Sequence, residues 1–97
     1  MNTEKQLILL RNAYLKTISI LYTQQFRIKL TLVCSCDKKW YELHLHRIDV
    51  LSSAIEHTIM ENNPRRVIRY LCLLHCSVKE LVQKTETDYV QNLRSFL

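Results

Sequence analysis

The sequence predicts an α+β fold, mostly helical: a helix, an antiparallel β-hairpin packed on the helices, and then two or three further helices. Three observations carry that expectation. Apolar residues recur at helical spacing over residues 3–24 and again beyond residue 49. Between residues 26 and 46 the apolar period shortens from 3.6 to 2. Polar, turn-type residues stand at Asp37-Lys38 and at Asn62-Asn63-Pro64, where the pattern breaks. The chain has 97 residues, which suits one domain with one core and burial of roughly two-thirds of its unfolded surface.

The first helix is expected over residues 3–24. Leu7, Leu10, Tyr14, Ile18 and Leu21 share one face, with Thr3 as N-cap and Gln6 three residues on completing a capping box. Ile8, Leu15, Ile20 and Tyr22 widen the apolar surface to a second side. The hairpin, residues 26–46, follows from alternation. Phe26, Ile28, Leu30, Leu32 and Cys34 alternate with Arg27, Lys29, Thr31 and Val33, and Tyr41, Leu43 and Leu45 alternate with Glu42, His44 and His46. A turn at Asp37-Lys38 brings Cys34 opposite Tyr41 and Leu32 opposite Leu43, so the two alternations agree in register.

A second helix is expected over 49–61, capped by Asp49 and carrying Leu51, Ala54, Ile55, Thr58 and Ile59 on one side. After the Asn62-Asn63 break, Pro64 suits the first position of a third helix, 64–84, with Asn63 as its cap. Its stripe is Val67, Leu71, Leu74, Val78 and Leu81. Tyr89, Leu93 and Phe96 mark a short terminal helix over 88–96.

Composition narrows the functional classes. The chain contains no glycine, where average usage of about 7% would supply several, so a glycine-dependent phosphate cradle is excluded. The net charge of +5 favours acidic partners. No segment reads as a membrane span, because Arg11 and Lys16 interrupt the most apolar stretch. The four cysteines, Cys34, Cys36, Cys72 and Cys76, lie in two close pairs inside periodic segments with no signal peptide ahead of them, which reads as free thiols in a reducing intracellular compartment, nucleus or cytoplasm.

The ligand-type residues do not assemble well. In the hairpin register Cys34 and Cys36 face the opposite way from His44 and His46, so these four cannot converge on one ion. A four-thiolate site from the two cysteine pairs requires the third helix to cross the apolar face of the hairpin, and cysteine is more often a small buried hydrophobe. No metal or other cofactor is expected. Cys72 and His75 are close enough on a helix to touch, but Val78 and Lys79 stand where an orienting acid or amide would be needed. The chain does not read as an enzyme.

Two surfaces remain. The outer face of the hairpin gathers Arg27, Lys29, His44 and His46 beside Trp40, and the start of the third helix carries Arg65, Arg66 and Arg69 against the helix dipole. Either could meet an anion or nucleic acid. The segment from Trp40 to Leu81, strand then two helices, is superficially similar to a ribbon-helix-helix repressor, which implies paired strands in the DNA major groove. It departs from that family in its preceding strand, its upstream helix and its Asn62-Asn63-Pro64 turn.

The apolar excess is the stronger feature. So short a chain is not expected to hide all of its apolar side chains, which points to a small interaction subunit or adaptor that dimerises or docks into a larger assembly. Its partner face is expected at Leu7, Leu10, Tyr14, Ile18 and Leu21. A nucleic-acid-binding module is the alternative. No small-molecule substrate is expected.

Overall fold

The computed structural model describes residues 2–97, and among these every regular element is helical. Helix α1 spans Thr3–Ser19 and passes through a single 3₁₀ turn, Ile20–Tyr22, into α2, Gln24–Val33. A tight turn leads to α3, Lys38–Met60, and a second one to α4, Pro64–Arg94. Helices α3 and α4 form an antiparallel pair. Along it His44 faces Glu80, Tyr41 faces Asp88 and Asp37 faces Lys84. Helix α1 runs beside α4 in the same direction, with Thr17 and Ile20 at the level of Val78 and Val82, and α2 continues along the C-terminal half of α4. The result is a three-helix bundle whose first member is broken in the middle.

The hairpin expected over 26–46 is absent. Those residues form α2, the following turn and the start of α3. The sequence satisfies both periods at once: Phe26, Leu30 and Val33 are spaced as i, i+4 and i+7, and Tyr41, His44 and Ile48 as i, i+3 and i+7. The side chains that completed the apparent alternation, Ile28, Leu32 and Leu43, are each more than half exposed. A two-stranded ribbon is marginal alone, and its tightest turns need positive φ at residues that glycine or asparagine usually supplies. Asp37 instead stands at the N-terminus of α3 with φ −148°. With the strands goes the similarity to ribbon-helix-helix repressors.

Several boundaries also move. Asn2, not Thr3, caps α1, its side chain accepting from the Glu4 amide at 3.0 Å. Asp49 lies inside α3 and caps nothing, and the separate terminal helix over 88–96 merges into α4. Thr23 takes an extended conformation and breaks the first helix. Its hydroxyl donates to the Ile20 carbonyl at 2.7 Å and accepts from the Phe26 amide at 3.3 Å, closing one helical segment while capping the next.

The α3–α4 turn explains how the chain manages without glycine. Asn62, at φ 57°, is the only positive-φ residue among those described. Asparagine tolerates this conformation better than other residues with a Cβ. Its amide donates to Ile59 and the amide of Asn63 to Thr58, the Schellman pattern that satisfies the last carbonyls of α3. Asn63 then caps α4 by accepting from the Arg66 amide at 3.3 Å, and Pro64 occupies the first turn, where no amide hydrogen is needed.

The core runs the length of α4. Val67, Leu74, Val78 and Leu81 meet Leu7 and Tyr14 of α1, Phe26 and Val33 of α2, and Tyr41, Ile48 and Ile55 of α3. Thr58 and Thr85 are buried with their hydroxyls bonded to carbonyls of their own helices, and no buried side-chain polar atom among the described residues lacks a partner.

Candidate partner-binding surface

Side-chain placement begins with the acids. Near the C-terminal half of α4 they bind the helices to one another. The Tyr41 hydroxyl donates to Asp88 Oδ2 at 2.6 Å, and Lys84 Nζ lies 3.3 Å from the same oxygen and 3.4 Å from Asp37 Oδ2. Lys84 also sits over the rings of Trp40 and Tyr41, at 5.2 and 5.8 Å. Burial removes water from the Tyr41 hydroxyl and, with the hydrogen bond to Asp88, holds its pKa well above the usual tyrosine value. Burial pulls Lys84 down, but its hydrogen bonds to Asp88 and Asp37 outweigh this and leave it above its ordinary value. On the α2 side Lys29 Nζ meets Glu86 Oε2 at 2.7 Å and lies over Tyr89. Tyr41, Lys84 and Asp88 line neither the α1–α2 elbow nor the grooves that α1 makes with α3 and α4, and these contacts fasten α3 and α2 to α4.

This placement disperses the expected anion site. Lys29 is engaged with Glu86 and Tyr89. His44 is buried, stacked on Trp40 at 3.7 Å between ring centroids, with Nε2 3.4 Å from Glu80. His46 lies exposed on α3, and Arg27 lies exposed on α2. The four do not share a face, because the face was a property of the hairpin. Arg65, Arg66 and Arg69 stay together, exposed in the first turns of α4 with no carboxylate within ion-pair distance.

The expected partner stripe on α1 faces inward. Leu7 and Tyr14 are core residues, and Leu10, Ile18 and Leu21 pack against them half-buried. Tyr14 also donates to Glu56 of α3 at 3.2 Å, and burial raises its pKa. The second apolar side of α1 is the one that remains open: Ile8, Leu9, Leu15, Ile20 and Tyr22 are all exposed. In all, sixteen large hydrophobic side chains are exposed against eleven buried, so the core does not absorb the apolar excess. They group on the surface. Leu15 and Met60 border a groove between α1 and α3, and Tyr22, Ile28 and Leu32 line the elbow between α1 and α2.

The cysteines do not gather. Cys34 is half-buried in the turn after α2 and Cys36 is exposed there, while Cys72 and Cys76 lie exposed on α4, so the four-thiolate arrangement is not formed and three of these thiols are not core hydrophobes. Among the described residues no three His, Cys, Asp or Glu side chains come together as metal ligands. Cys72 and His75 are both exposed, and the neighbour one turn further along is Lys79 rather than an acid.

Sequence reasoning missed the Trp40–Lys84–Asp88 network, whose only signal was one acid and one lysine spaced four apart on a helix assigned to end at Lys84. Compared with known proteins, the chain matches no family model, no curated protein and no solved structure. None of its helices is long and apolar enough to cross a membrane, among the described residues.

Proposed function

We propose that the chain is a non-catalytic interaction subunit that docks into a larger assembly, or onto a copy of itself, through apolar helical surfaces. One observation carries this reading. The accessible surface is 7193 Å² for a mass of 11.6 kDa. A monomer of that mass ordinarily exposes about 5,800 Å². The surplus, roughly 1,400 Å², exceeds the ~800 Å² that each side contributes to a standard protein interface. It belongs to an elongated bundle, 56 × 21 × 16 Å, whose outer faces carry many of its leucines, isoleucines and valines.

Light scattering of the purified chain at micromolar concentration tests the reading. A stable oligomer is expected, or aggregation that ends when the partner is supplied. A monodisperse monomer with no tendency to associate would overturn it. The competing reading, a nucleic-acid-binding module, retains the exposed Arg65, Arg66 and Arg69. It requires a mobility shift with single- or double-stranded probes that weakens steeply as salt rises.

A further inference from the structure

We infer that the groove between α1 and α4 receives an acidic amphipathic helix from a partner protein. The inference rests on the interaction reading and assigns that reading a surface and a ligand chemistry.

The groove has a volume of about 500 Å³. Ile20, Val78 and Val82 form its floor, and Lys16, Lys79 and His75 stand along its edges. No acidic side chain lines it. The elbow between α1 and α2 also lacks an acid, but Arg27 is its only charged lining residue. The α1–α3 groove is lined by both Arg11 and Glu56, the α3–α4 groove by both Arg47 and Glu80, and the hollow beside α2 contains the Lys29–Glu86 ion pair. Those three are balanced in charge, whereas the α1–α4 groove is cationic on both banks. Neither Lys16 nor Lys79 has a carboxylate within ion-pair distance in its own chain.

The groove continues beyond its deepest part. Two turns toward the N-terminal ends, Leu9 falls on the stripe of Lys16 and Ile20, and Ile68 on the stripe of His75 and Val82. Both are exposed, at 62% and 49%. Arg65, two heptads before Lys79, adds a further exposed positive charge on that side of α4. An apolar channel several turns long between two helices running side by side is shaped for a third helix laid into it, which reads such a groove through apolar residues at i, i+3, i+4 and i+7. Lysines on both banks require carboxylates on the flanks of that helix. A second copy of the chain is a poor occupant. Symmetric pairing across this groove would set Lys16 and Lys79 against their own copies, and like charges facing one another disfavour such a pair.

The test uses a fluorescently labelled synthetic helix of about 20 residues, leucine on one face and glutamate on the other, titrated with the full chain. Fluorescence anisotropy should show saturable binding that weakens with salt. A composition-matched scrambled peptide and a lysine-for-glutamate peptide should bind at least about tenfold more weakly. The double variant Lys16→Glu/Lys79→Glu and the floor variant Ile20→Asp should each reduce binding by about tenfold or more, while Leu43→Asp on the outer face of α3 should not. All four positions are exposed. Circular dichroism of each variant verifies that a loss is not unfolding. Equal binding of the scrambled peptide, or no effect of the rim and floor variants, overturns the inference. So does preferential capture of anionic vesicles or RNA by the same rim. If the chain self-associates by light scattering while the acidic helix fails to bind, this inference falls and the broader interaction reading stands.

Discussion

Tyr41 shows how single side chains set the limits of this fold. Its hydroxyl is the donor in a 2.6 Å bond to a carboxylate that Lys84 also grips, inside the packed junction of α3 and α4. Burial strips water from the hydroxyl, and ionising it would also place a second negative charge beside Asp88, so the neutral form is favoured and the pKa rises. A raised pKa in the folded state means the stabilisation is fully present below the unfolded tyrosine value, near 10, and is lost as pH climbs through the folded value. Lys84 and Tyr14 are shifted in the same direction and act with the same sign. Stability against urea is therefore expected to be level through neutrality and to decline above about pH 10. Tyr41→Phe should cost about 0.5–1.5 kcal/mol at neutral pH and show a shallower alkaline decline. Tyrosinate absorbance in the folded state, wild type minus Tyr41→Phe, measures the residue directly, and a difference curve with its midpoint at the model-peptide value would refute the assignment. None of this was legible in the sequence, because it depends on residues forty-seven apart meeting across two helices. The stripe residues were legible: Leu7, Tyr14, Val67, Leu74, Val78 and Leu81 all reach the core.

At the scale of elements, the same legibility held wherever one period was dominant and failed where two coexisted. α4 and the second half of α3 carry long 3.6-residue patterns, and the asparagine-proline break between them is a local signal with its own geometry. Residues 26–46 satisfy a strand period and a helix period with nearly the same side chains, and β-branched and aromatic residues tilt a local reading toward strand. Tertiary burial decided: a helix here puts Phe26 and Val33 on α4, while a ribbon would need a glycine-free tight turn. Thr23 is the residue that makes the broken helix possible, since its one hydroxyl closes the 3₁₀ turn and caps α2. Replacement by alanine removes both bonds and should destabilise the chain by about 1–2 kcal/mol, whereas serine should retain most of the stability. Chemical denaturation of the two variants distinguishes them. Equal midpoints for alanine and wild type would mean that packing alone holds the elbow.

At the scale of the whole molecule, shape and charge are both arranged against solitude. The radius of gyration is 15.7 Å, against about 12.5 Å for a compact domain of this length. Only three of the fourteen lysines and arginines, Lys29, Lys38 and Lys84, reach a carboxylate within 4.0 Å. The uncompensated cations repel one another, and Arg65, Arg66 and Arg69 also oppose the dipole of the longest helix at its N-terminus. Added salt screens that repulsion over a Debye length of about 10 Å at 0.1 M, while the close, partly buried pairs around Lys84 are screened less. The thermal midpoint is therefore expected to rise with sodium chloride. Arg65→Glu/Arg66→Glu, both in the first turn of α4, should stabilise the isolated chain by about 0.3–1 kcal/mol per substitution and flatten its salt dependence. A midpoint that falls with salt would show that internal ion pairs outweigh the repulsion. If the midpoint rises, the basic surface carries a stability cost in the free chain that an acidic partner would relieve on docking, coupling assembly to folding through the same side chains.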